Sequence, residues 1–160
     1  MNYQFLANTR LFRGISVDEL EKMLACFSVQ TRQYEKGSLI LRAGQTVSAI
    51  GLVLSGNITI ENNDLWGNRT VMDRLGAGAI FAESYALTPE EILMVDIVAN
   101  EPTEVLFLQT RAILNPCQKS CYSHRALLGN LLAISSQKNL HMSRHILHTS
   151  PKTIRGRLLS

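Results

Sequence analysis

With 160 residues the chain is the size of one ordinary domain, or of one domain with an appended helical arm. Apolar residues make up 46% of it, yet no run approaches the roughly 20 uninterrupted apolar residues of a membrane span. Its start, Met1-Asn2-Tyr3-Gln4-Phe5, lacks the basic-then-apolar order of a secretory signal, so a cytoplasmic protein without membrane contact is expected.

The net charge of +3 conceals a division, because all thirteen acidic residues lie at or before Glu104. Residues 105–160 carry no acid and eight basic residues, Arg111, Lys119, Arg125, Lys138, Arg144, Lys152, Arg155 and Arg157, together with all four histidines. Such asymmetry points either to a polyanionic partner such as nucleic acid or to a basic helix packed on an acidic domain of the same chain. Cys26, Cys117 and Cys121 are odd in number and form no dense framework, so reduced thiols are expected.

In chain order, Ser16 and Glu19 form a capping box ahead of Val17, Leu20, Met23, Leu24 and Phe27, which repeat at helical spacing. This predicts a short amphipathic helix. From Val29 to Gln109 the pattern becomes short apolar or β-branched runs punctuated by turn residues. Strands are predicted near 29–34, 38–42, 49–55, 57–61, 69–75, 79–81, 93–99 and 103–109. Eight short strands at regular spacing imply an antiparallel sandwich or jelly roll. Within it, Glu83-Ser84-Tyr85-Ala86-Leu87 reads as a helical turn, an unusual insertion in a β-roll. Trp66, in a hairpin between Asp64 and Gly67, reads as an exposed aromatic that either makes a contact or covers the sheet, with surface packing the expected role.

Beyond Thr110 the chain is predicted helical: a short piece from Arg111 to Leu114, stopped near Pro116, then one long helix from Tyr122 to about His148. Leu128, Leu132, Ser135, Asn139, Met142 and Ile146 lie four and three apart, the spacing of a two-stranded seam, and define an expected homodimer interface. The polar Ser135 and Asn139 either fix register or face a ligand. Leu127, Leu131 and Ile134 form a second stripe expected to pack on the body of the domain. Ser150-Pro151 then opens another helix that runs to the last residue.

These residues resemble the CRP/FNR transcription regulators, with their sensor domain of the cyclic-nucleotide-binding type. The resemblance rests on Leu11-Phe12-Arg13-Gly14-Ile15-Ser16, on Tyr34-Glu35-Lys36-Gly37-Ser38-Leu39-Ile40 with Ala43-Gly44-Gln45, on Val53-Leu54-Ser55-Gly56, and on Gly78-Ala79-Ile80-Phe81-Ala82-Glu83-Ser84. It implies a mainly β fold with flanking helices, a double-stranded β-helix or jelly roll, followed by a long C-terminal helix. Residues 1–110 would be the sensor roll with its N-terminal helix, 111–149 the short helix and the dimerisation helix, and 150–160 the start of a truncated winged helix-turn-helix. DNA would then be read by a C-terminal domain absent from this chain, since base readout needs an element in the major groove.

In the resembling family, Gly78 to about Met94 would be the phosphate-binding cassette. Cyclic-nucleotide binders carry Gly-Glu at its head and an Arg followed by Ser or Thr at its far end. Here the head is Ala82-Glu83 and the far end Leu93-Met94-Val95-Asp96. Leucine cannot replace the charge-assisted arginine contact to a phosphate, and Asp96 adds a like charge. An unidentified small-molecule effector other than cyclic AMP is therefore expected, and no cofactor. Glu83, Ser84, Tyr85, Met94, Ser135 and Asn139 are the expected wall residues, a mixture suiting a neutral or weakly polar molecule better than a phosphate. Glu83 itself reads either as a ligand contact or as a solvated helix residue.

A rival reading is a metal- or thiol-responsive sensor using Cys117, Cys121 and His124, spaced i, i+4, i+7 along one helical face. His141, His145 and His148 cluster near a helix end, where cationic side chains are favourable without any ligand. No nucleophile elbow, phosphate-cradling loop or histidine pair is present, and residues 29–109 contain no histidine. The chain therefore reads as a regulatory module and not as an enzyme.

Overall fold

Turn residues cut the middle of the chain into eight short strands: β1 (Gln30–Tyr34), β2 (Leu39–Leu41), β3 (Ala49–Ser55), β4 (Asn57–Asn63), β5 (Arg69–Gly76), β6 (Ile80–Phe81), β7 (Asp96–Ala99) and β8 (Thr103–Gln109). The computed structural model describes residues 1–27, 29–115 and 122–149, with side chains as far as Arg144. The strands form two four-stranded antiparallel sheets, ordered β1-β8-β3-β6 and β2-β7-β4-β5. Together with the helices this is the mainly β jelly roll with a long C-terminal helix that the resemblance implies.

The first sheet is covered on both faces, which explains why β3 and β8 read as continuous apolar runs. Ile50, Leu52, Leu106 and Leu108 point toward the helices, where they join Leu6, Phe12, Leu20 and Leu24 in one buried cluster. Val53, Phe81 and Val105 point into the roll and meet Ile40, Ile58, Ile97 and Ala99 of the second sheet. Gly51 is dictated by this packing, because a Cβ there would lie 2.2 Å from Cζ of Phe81. At Gly56 the turn between β3 and β4 needs φ of +85°, and an added Cβ would meet the Pro102 carbonyl at 2.5 Å.

Helix α1 (Tyr3–Ala7) was not signalled by any periodicity. Its five residues are held by Asn2, whose Oδ1 accepts from the Phe5 N–H at 3.0 Å, and by the fully buried Leu6. Helix α2 (Val17–Cys26) starts on Ser16, whose hydroxyl accepts from the Glu19 N–H at 3.2 Å. Helix α3 (Glu83–Ala86) is the insertion within the roll, and α4 (Thr110–Leu114) leads toward α5 (Tyr122–Thr149). At 28 residues α5 is about 42 Å long. Among the described residues no helix is long and apolar enough to cross a membrane.

Two details depart from expectation. Strand β7 begins at Asp96 and not near 93, because Leu93 commits its backbone to the turn at 43–46. Trp66 does not cover the sheet: it is 88% exposed beside a fully exposed Leu65. That tip is held rigid by Asp64, whose carboxylate accepts from the N–H groups of Trp66 and Asn68 and from Asn68 Nδ2. The helix expected from Ser150 onward lies outside the described residues.

Candidate functional site

The stretch from Gly78 to Met94 begins with β6 paired to β3 and then turns sharply into α3. The turn is made by Ala82 at φ 64° and ψ 12°, a left-handed conformation that costs an L-residue about 1–2 kcal/mol. Its methyl is buried with the roll cluster, which helps hold it there. Strain of this kind persists where the surroundings over-determine the backbone, often next to a functional group. The residue that this turn places at the head of α3 is Glu83.

Glu83 is 4% exposed, so it is not a solvated helix residue. Its Oε1 lies 2.7 Å from Nζ of Lys138, and the same ammonium donates to the Ile80 carbonyl at 2.8 Å. Lys138 belongs to α5, so the head of the cassette is joined to the long helix by a two-acceptor contact.

The position of Lys138 follows from the stripe that packs α5 on the body. Leu127, Leu131 and Ile134 are buried as the spacing predicts, and Lys138 is the next residue along that face. Other polar pins act nearer the start of the helix. Ser123 donates to Glu19 at 3.1 Å, and Asn130 Nδ2 donates to the carbonyls of Leu11 and Arg13 at 2.9 and 2.7 Å. Beyond Lys138, the helix is exposed on all sides as far as Arg144.

The far end of the cassette is closed. Leu93, standing where the resembling family has its phosphate-pairing arginine, is 1% exposed. Its N–H donates to the Gln45 carbonyl, and its own carbonyl accepts from Gly44. Asp96 is a structural pin, accepting from the Ala43 N–H at 2.8 Å and from Asn63 Nδ2 at 2.6 Å.

Of the other expected wall residues, Tyr85 and Ser135 are half-buried, whereas Ser84, Asn139 and Met94 are exposed, Met94 at 72%. The structure brings Glu83 to Lys138, next to Asn139. It leaves Met94 apart, at the far end. Two shallow cavities of about 250 and 360 Å³ lie elsewhere, one beside Arg32, Tyr34 and Phe107 and the other beside Lys36, Glu61 and Arg69. Neither is lined by the expected wall residues.

Along the expected seam, Leu128, Leu132 and Met142 are 39%, 70% and 61% exposed in the single chain. Ile146 lies within α5, beyond the last described side chain.

His124, the imidazole of the metal alternative, is buried. It donates from Nε2 to the Ile113 carbonyl and stands edge-on to Phe27, ring centroids 5.8 Å apart. Cys117 and Cys121 lie outside the described residues. Among the described residues no group of three His, Cys, Asp or Glu side chains is placed to hold a metal ion.

A second buried carboxylate, Glu61, sits on the outer face of the second sheet. Burial pushes its carboxyl up, but hydrogen bonds from Arg69 at 2.6 Å and Thr59 at 2.5 Å, with the Arg69 charge, outweigh this and hold it below its ordinary value. Sequence pattern alone did not reveal this network, because Thr59 and Glu61 lie on the face of β4 opposite the apolar Ile58 and Ile60, and Arg69 reaches them from β5.

The chain is similar to the cyclic AMP receptor protein of Thermus thermophilus, 34% identical over 98 residues that cover 61% of this chain and 44% of that protein. The crystal structure of Thermus thermophilus catabolite activator protein superposes with a TM-score of 0.74 at 25% identity, covering 89% of this chain and 63% of that one. This chain thus spans less than two thirds of either Thermus protein. The sensor domain of the transcriptional regulator DNR from Pseudomonas aeruginosa shares the fold, with a TM-score of 0.64 at 17% identity over 93% of this chain and 91% of that one. Residues 31–120, more than half of the sequence, match the cyclic nucleotide-binding domain family, and the chain belongs to that family, as a sensor domain and following helix of the CRP/FNR regulator type.

Proposed function

We propose that the chain is the effector-sensing and dimerising part of a CRP/FNR-type DNA-binding transcription regulator, that it is cytoplasmic, and that it is not an enzyme. The observation that carries this reading is the contact of Lys138 with Glu83 and Ile80, which links the effector cassette directly to the helix with the seam. A molecule that alters this contact alters how α5 is held. Pairing through Leu128, Leu132, Ser135, Asn139, Met142 and Ile146 would transmit the change to a DNA-reading domain that follows. The exposed leucines and Met142 support a second copy of the chain as the partner of this face.

The effector in this reading is a small molecule other than cyclic AMP, whose name the Thermus relative carries. The buried Leu93 supports the departure, since it offers an anionic phosphate no partner. Sedimentation with a cyclic AMP titration tests both parts. A dimer at micromolar concentration and no saturable binding of cyclic AMP up to millimolar levels are expected. A monomer, or micromolar cyclic AMP binding, would overturn the corresponding part.

A further inference from the structure

We infer that Lys138 is a tethered occupant of the effector's polar subsite, and that the effector is a small molecule bearing a primary ammonium group, which takes the place of the Lys138 ammonium between Glu83 and Ile80. This rests on the sensor reading above and adds the effector's chemistry and the step by which it acts.

The two halves of the contact differ in freedom. The Glu83 side chain is 5% exposed and the Lys138 side chain 42% exposed. If the pair separates, Lys138 can swing into water at little cost, whereas the carboxylate stays behind in a site that water hardly reaches. A buried charge left alone is strongly unfavourable, so whatever displaces Lys138 has to satisfy Glu83 itself. Two acceptors are fixed there, the Glu83 carboxylate and the Ile80 carbonyl, and one ammonium now serves both. A single hydroxyl carries one donor and no charge. A primary ammonium carries three donors and the charge a buried carboxylate requires.

Displacement also has a mechanical consequence. Lys138 closes the body-facing stripe begun by Leu127, Leu131 and Ile134, and past it the helix touches no other described element with a buried side chain. Releasing it would free the last anchored turn of α5, next to seam residues Asn139 and Met142.

The test is chemical rescue. In Lys138→Ala, amide exchange of residues 80–86 should rise roughly tenfold or more relative to the native chain. n-Butylammonium should restore protection saturably at millimolar concentration. Tetramethylammonium, which has no N–H donor, should not, and neither amine should protect the Lys138→Ala/Glu83→Gln double variant. If Lys138→Ala does not fold, calorimetric titration of methylammonium, which supplies the missing ammonium beside the retained stem, into Lys138→Met replaces the exchange experiment. Unchanged exchange in folded Lys138→Ala, equal rescue by tetramethylammonium, or no heat with Lys138→Met would overturn the inference. Sedimentation of the same samples separates the two claims: rescue in a protein that never dimerises leaves the subsite standing and removes the sensor reading.

Discussion

Removing either partner of the Glu83–Lys138 pair should have unequal effects on stability, and the inequality follows from exposure. Lys138→Met keeps the aliphatic stem but leaves a 5% exposed carboxylate without its cation. Breaking a fully buried pair in this way costs about 3–5 kcal/mol, whereas exposed pairs contribute about 0.2–1 kcal/mol. With the lysine 42% exposed, an intermediate cost of about 2 kcal/mol is expected. Glu83→Gln leaves an amide oxygen that still accepts and a lysine free to reach water, so its cost should be about 1 kcal/mol. Urea denaturation of the native chain, both single variants and the double variant gives the coupling directly, expected at about 1 kcal/mol. A coupling below about 0.3 kcal/mol, or Glu83→Gln costing more than Lys138→Met, would refute the picture of a fixed buried carboxylate with a movable cation.

Gly51→Ala should destabilise by about 1–3 kcal/mol in thermal or urea unfolding, since its Cβ would sit 2.2 Å from the Phe81 ring, and Phe81→Leu in the same chain should recover part of the loss. Glu61 has a lowered carboxyl, so it contributes stability that is fully present above its ordinary value of 4.5 and is lost as pH falls through the folded value. Glu61→Gln should therefore show a shallower loss of melting temperature below that pH than the native chain; equal slopes would remove Glu61 from the acid response. Leu132→Lys, at a side chain 70% exposed in the single chain, should leave melting of the monomer almost unchanged and abolish dimerisation in sedimentation.

The parts of this structure that local rules govern were legible in the sequence. The eight strands follow turn chemistry at residues such as Gly37, Gly44 and Gly56, and all three glycines adopt positive φ. The body-facing stripe of α5 follows helical spacing through Leu127, Leu131 and Ile134. Lys138 was overlooked although it continues that same spacing, because a charged residue reads as solvent-facing unless its buried partner is known, and that partner lies 55 residues away in sequence. The closing of the far end was equally hidden. Leu93 suggested a lost phosphate contact, but only the fold shows it stitched to Gly44 and Gln45 and shows Asp96 used as a pin. The exposure of Trp66 followed from its hairpin, but the Asp64-centred tip that carries the ring away from the sheet shows only in the fold.

If the cassette and the pairing helix act as one device, the Lys138 contact has to influence dimerisation although Lys138 is not a seam residue. Loosening the last anchored turn of α5 adds freedom that pairing must then freeze, which weakens association. The dimer dissociation constant of Lys138→Met, measured by sedimentation against the native chain, should rise by about fivefold, the equivalent of about 1 kcal/mol. An unchanged constant in a folded variant would contradict the coupling of sensor to helix on which the proposed function stands.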